Sequence, residues 1–184
     1  MSVVPQKDVA GRVKPGHDVK DWSKMDAVLK WLEATALATE IRENEFLFPW
    51  VEALHVLAIT LVVGSIAILD LRLIGFASLD RPVGRLARDI LPCTWIAFAF
   101  AALTGTLLFS AKATGYAGNF FFRGKLVLLA FAALNMIVFH AFAGRNMQHL
   151  RLDLPAAARI AGALSLTIWV AIVAFGRWIG FTLH

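Results

Sequence analysis

From residue 47 onward the chain alternates long apolar runs with short polar breaks, and the runs show neither the two-residue period of a strand nor a single apolar stripe. Four of them, Leu47 to Gly75, Leu91 to Ser110, Phe120 to Ala143 and Ala156 to Leu183, reach or exceed the ~20 helical residues needed to cross a hydrocarbon layer. Turn and charge signals fill the breaks: Asp80, Arg81, Pro82 and Gly84; Lys112, Gly115 and Gly118; Gly144, Arg145, Asp153 and Pro155. Such short links make sequential neighbours antiparallel. The pattern therefore predicts an all-α integral membrane protein, an up-down-up-down four-helix bundle over residues 45–184.

Ahead of the bundle the pattern changes twice. Residues 1–22 are polar and contain Pro5, Gly11, Pro15 and Gly16, which predicts an extended or flexible tail. Over 23–44, Ser23 can cap a helix in which Val28, Leu29, Leu32, Ala36, Leu37 and Ile41 recur at three- and four-residue intervals among Lys24, Lys30, Glu33, Glu40 and Glu43. This predicts an amphipathic helix lying at the membrane interface, or else packed on a partner's soluble domain.

Composition agrees with a membrane protein and excludes other classes. The 184 residues are 59% hydrophobic and 17% charged, with a single cysteine, so neither a disordered chain nor a disulfide-stapled domain is expected. The net charge of +5 does not mark a nucleic-acid binder, because the basic residues form no cluster on one arm or face. The first 45 residues carry seven Lys/Arg and eight Asp/Glu, whereas the remainder carries eleven and five. The surplus lies in the loops. Arg81, Arg85, Arg88, Arg145, Arg151 and Arg159 all fall at one end of the bundle, which predicts that end to be cytoplasmic and both termini periplasmic in a bacterial inner membrane. Trp50, Tyr116, Trp178 and Phe120 to Phe122 would form an aromatic belt at the other end.

Within the spans the ionisable residues are Glu52, His55, Asp70, Arg72, Lys125, His140 and Arg177. A charge is costly in lipid, so each is a functional candidate. Depth sorts them into two groups. His55, Glu52, Lys125 and Arg177 belong to the outer end, while Asp70, Arg72 and His140, with Asn135, belong to the arginine-rich end. Glu52 and His55 share a helix face, and Lys125, Met136 and His140 fall within about 40° of one another on theirs. His55 and His140 differ in level by roughly 15 to 18 Å at a rise of 1.5 Å per residue, which excludes one metal or haem shared between them.

Two readings of the outer group stay open. In one, His55 ligates a haem b, with Lys125, Arg177 and Arg123 neutralising propionates and Glu52 tuning the histidine. In the other, His55, Glu52 and Arg177 form a structural polar cluster. For the inner group, His140 is either a metal ligand or a structural or proton-handling residue. Copper is the alternative metal, through Met136, His140 and Cys93. Thr104-Gly105-Thr106 in the second span reads as a close-packing point between helices.

The runs Trp31-Leu32-Glu33, Ile41-Arg42-Glu43, Phe48-Pro49-Trp50-Val51-Glu52-Ala53-Leu54-His55-Val56-Leu57 and Asp70-Leu71-Arg72-Leu73-Ile74-Gly75 resemble the DUF6644 family of bacterial four-span membrane proteins, as do Thr104-Gly105, Lys125-Leu126, Asn135 and Phe139-His140. The resemblance runs from Trp31 to the C-terminus and implies the fold without an activity. A fainter one joins Leu54-His55 to Gly124-Lys125-Leu126 and the later histidine, and is similar to membrane protoporphyrinogen oxidases of the HemJ type and to CopD-type copper-resistance domains. The former implies haem b on His55 and an essential Lys125. This chain departs from that enzyme after the histidine, where Val63-Gly64-Ser65 replaces a Trp-Gly-Leu-Tyr-type continuation.

The function expected first is thus a haem-b-binding membrane protein passing electrons between the quinone pool, or a membrane partner, and a periplasmic partner. A second reading is an enzyme acting on porphyrin-like or quinone substrates, using His55-bound haem with Lys125 and Glu52 as proton-transfer groups. The alternatives are a copper transport or tolerance component and a non-catalytic accessory subunit of a larger membrane complex or homo-oligomer.

Overall fold

A computed structural model describes residues 17–77, 80–142 and 154–183, with side chains from residue 23 and without those of 139–142. Every regular element among them is helical: α1 (His17–Glu33), α2 (Ala36–Glu43), α3 (Leu47–Ile74), α4 (Val83–Ala111), α5 (Ala113–Gly118), α6 (Phe120–Phe142) and α7 (Ala156–Thr182). The long helices α3, α4, α6 and α7 are long and apolar enough to cross a membrane, and they form a four-helix membrane bundle in a lipid bilayer.

The helix boundaries follow local chemistry. Asn44 starts α3 by accepting hydrogen bonds from the backbone N–H groups of Phe46 and Leu47 at 3.0 and 3.1 Å. Asn119 does the same for α6 through the Phe122 N–H, and its amide donates to Thr182 Oγ1 at 2.9 Å, tying the start of α6 to the end of α7. Gly75 ends α3 in the left-handed conformation, φ 92°, with its N–H directed at the carbonyls of Arg72 and Leu71. The second span begins at Val83 rather than near Leu91. Its first turns carry Arg85, Arg88 and Asp89, all exposed, so hydropathy alone places its start too late.

The segment expected as one interfacial helix is two helices. Thr35 separates them: its hydroxyl donates to Leu32 O at 2.8 Å and also caps α2 by accepting from Ala38 N–H. The first of the pair starts at His17, inside the stretch expected as extended tail. Both rest on the bundle's own end. Ala38 and Ile41 are fully buried, Glu33 Oε1 accepts from the N–H and hydroxyl of Thr114 at 2.8 and 2.7 Å, and Arg42 donates to the carbonyls of Ala111 and Glu33. Arg42 thereby satisfies a carbonyl that the end of α4 would otherwise leave orphaned.

In the bundle, α3 packs against both α4 and α7, and α7 against α6. Along the fourth side, the backbones of α4 and α6 do not approach each other among the described residues. That seam is bridged at the capped end, where Phe109 of α4 and Phe122 of α6 stack with centroids 5.3 Å apart and Tyr116 of α5 leans on both. At the other end Leu73, Val83, Leu154 and Ala158 form a small buried cluster.

Candidate cofactor site

His55 on α3 and Lys125 on α6 lie within electrostatic range of each other. His55 projects from α3 against α4, where its Nδ1 lies 3.0 Å from Thr104 Oγ1. The Thr104 hydroxyl lies 2.8 Å from Phe100 O in its own helix and donates there, so its oxygen accepts from His55. That assigns the ring proton to Nδ1. His55 Nε2 is then the lone-pair nitrogen, and it makes no hydrogen bond among the described residues. A fixed Nδ1–H with a free Nε2 is the state in which a histidine binds iron.

Two glycines lie against these side chains. A Cβ on Gly105 would sit 2.9 Å from His55 Cε1, so the absence of a side chain there lets the ring lie against α4. Across the bundle, a Cβ on Gly176 of α7 would meet Lys125 Nζ at 3.7 Å. The half-buried Lys125 lies within electrostatic range of His55 and pairs with no carboxylate among the described residues. The donor set is one imidazole nitrogen and one ammonium that pairs with no carboxylate among the described residues, beside the seam between α4 and α6.

The other expected residues lie elsewhere. Glu52 is exposed and does not hold the His55 ring, which Thr104 does instead; its charge acts on Tyr116. Arg177 is exposed and stacks on Phe181, its guanidinium 4.9 Å from the ring centroid. Arg123 is exposed beside a shallow apolar groove with Phe120, Val127 and Phe175. The structure thus places Lys125 within electrostatic range of His55 and leaves Glu52, Arg123 and Arg177 exposed at the same end.

For copper, Cys93 and Met136 are both exposed, and no group of three or more His, Cys, Asp or Glu converges among the described residues. The His140 side chain lies outside the described residues. Thr104, Gly105 and Gly176, which shape the site, were not marked as site residues by the sequence. A signal was present for the first two, since Thr104-Gly105 falls at the depth of His55 on the adjacent antiparallel helix.

Tyr116, outside the spans, has a phenol pushed above its usual value by burial and then by the Glu52 carboxylate.

A family model described as "Family of unknown function (DUF6644)" matches residues 28–182. No curated protein and no solved structure matches.

Proposed function

The chain belongs to the DUF6644 family, whose function is unknown, so its chemistry rests on its own residues, and we propose that it is a haem-b-binding integral membrane protein of electron transfer. One observation carries this reading: the hydrogen bond from His55 Nδ1–H to Thr104, which leaves Nε2 as the nitrogen that would hold the iron, near Lys125, which pairs with no carboxylate among the described residues. When bound, the haem would supply one-electron chemistry at a depth reachable from the membrane.

The protein's own part is ligation and charge balance. Thr104 orients the imidazole and fixes its tautomer, and an acceptor on Nδ1–H makes Nε2 a better ligand. Lys125 would pair with a propionate, which removes the cost of an unpaired ammonium in the bundle. Gly105 lets the imidazole lie against α4, and Gly176 lies beside the Lys125 ammonium. The Phe109, Tyr116 and Phe122 bridge keeps water from the capped end. The arginine-rich end is cytoplasmic in this proposal, both termini are periplasmic and the membrane is the bacterial inner membrane. Electrons would pass between quinol, or a membrane partner, and a periplasmic partner at the capped end.

Absorption spectra of the detergent-purified full chain, oxidised and dithionite-reduced, test the proposal. A Soret band that disappears in His55→Ala is expected. A featureless spectrum from folded protein expressed with ample haem supply would overturn it.

A further inference from the structure

A second polar group lies at the opposite end of the bundle and takes no part in the His55 site. Asp70 on α3 is only 4% exposed, one turn before the helix ends at Ile74, or about 6 Å along its axis. Its Oδ2 is buried without a hydrogen-bond partner, and the carboxyl's one side-chain hydrogen bond is to Ser165 on α7. The two helices meet closely here: a Cβ on Gly162 would sit 3.0 Å from the Asp70 carbonyl oxygen and 2.9 Å from Leu73 Cβ.

An ionised carboxylate in this position would be an uncompensated charge in lipid-embedded protein. No cation faces it. On its own helix Arg72 directs Nε to the Arg81 carbonyl at 3.0 Å, and Arg72 makes no ion pair with Asp70. On α4, Arg85, Arg88 and Asp89 are exposed, and the buried Thr94 donates to Ile90 O in its own helix. On α7, Arg159 is exposed, and Ser165 is the residue that faces Asp70. Among the described residues the backbone of α6, which carries His140, does not approach α3. Neutralising the carboxylate therefore requires a cation held by very few donors. A sodium or calcium ion needs about six oxygens, whereas Asp70 and Ser165 offer three between them, two from the carboxylate and one hydroxyl. A proton needs no more than two of them.

We infer that Asp70 and Ser165 form a proton-binding site in the α3–α7 interface, occupied at neutral pH and exchanging with the arginine-rich end of the bundle. With the proton on, Oδ1 and the Ser165 hydroxyl share one hydrogen bond, and Oδ2 is a neutral carbonyl oxygen whose burial costs far less than that of a charge. With the proton off, the charge demands water or a counter-ion at the point where Gly162 holds α3 and α7 together. Occupancy by the proton thus sets how tightly the two central spans pack.

Infrared spectroscopy of the full-length protein in nanodiscs tests this without reference to haem. A protonated-carboxyl C=O band at neutral pH is expected, shifted in heavy water and lost in Asp70→Asn. In Ser165→Ala, which keeps the carboxyl, the band should move to higher frequency as the hydrogen bond disappears. This second variant serves if Asp70→Asn does not fold. Absence of any band that responds to either substitution, as for a hydrated or sodium-bound carboxylate, would overturn the inference.

Discussion

His55 and Thr104 are 49 residues apart in the chain and 3.0 Å apart in the bundle, and this one contact decides which imidazole nitrogen is available. Thr104→Val keeps the shape and removes the acceptor, leaving Nδ1–H buried without a partner. Haem affinity should fall about 10- to 100-fold, the usual effect of losing the group that orients a ligating histidine. Thr104→Ser should retain it. Haem titration of the apoprotein measures the effect, and wild-type affinity in Thr104→Val would remove Thr104 from the site.

Gly105→Ala acts on the same ring by volume. The new Cβ would sit 2.9 Å from His55 Cε1, closer than real contacts, so the imidazole must turn away from α4. The expected result is a changed Soret position or loss of the band while the helical circular dichroism of the protein remains. An unaltered spectrum would mean that the ring does not lie against Gly105 when the protein is loaded.

The spans were legible because apolar runs of membrane length leave few alternatives, and the ends of α3, α6 and α7 lie close to the sequence boundaries. The break at Thr35 was not, because Ala34, Thr35 and Ala36 continue a helical pattern and only the Thr35 to Leu32 hydrogen bond reveals the stop. The site was half legible. His55 and Lys125 stand out as ionisable residues in apolar runs. Thr104 and Gly105 do not, since a threonine and a glycine in a span ordinarily mean close packing. Their meaning depends on which helix lies opposite, a non-local fact that spacing along one helix does not contain. Glu52 illustrates the converse: sharing a helix face with His55 was real, yet the ring turns to α4 and leaves it exposed.

Glycines in the spans should differ sharply in tolerance. A Cβ on Gly162 would press on the Asp70 backbone carbonyl at 3.0 Å, which no side-chain rotation relieves, so Gly162→Ala should destabilise the α3–α7 pair by about 1–3 kcal/mol. Gly64 on α3 has nothing within 4 Å of its Cβ position, and Gly64→Ala should be neutral or stabilising by up to ~1 kcal/mol through helix propensity. Thermal unfolding in detergent compares them, and equal melting temperatures would contradict the close crossing at Gly162.

The α1–α2 clamp hangs on Glu33. Its Oε1 accepts both the backbone N–H and the hydroxyl of Thr114, so Glu33→Ala orphans two donors at the start of α5, at a cost of about 1–3 kcal/mol. Because the loss is local, α1 should detach before the bundle unfolds. Limited proteolysis should then cut within residues 17–33 faster in the variant than in the wild type. Unchanged cleavage would show that the burial of Ala38 and Ile41 alone holds the segment down.

Tyr116 offers a pH measurement on one group, because it is the sole tyrosine in the chain. Burial disfavours the phenolate, and the Glu52 carboxylate disfavours it further, so its midpoint should lie above the ordinary value of about 10. Glu52→Gln removes the second cause and should lower the midpoint part of the way back, while Tyr116→Phe abolishes the transition. The sign for stability follows. The folded state holds the phenolic proton more tightly than the unfolded chain, so this contribution is fully present below pH ~10 and is lost as pH rises through the raised folded value. Ultraviolet titration of the phenolate band reads the midpoint directly. A value at or below the ordinary one would place Tyr116 in water and remove it from the bridge with Phe109 and Phe122 that closes the capped end above His55.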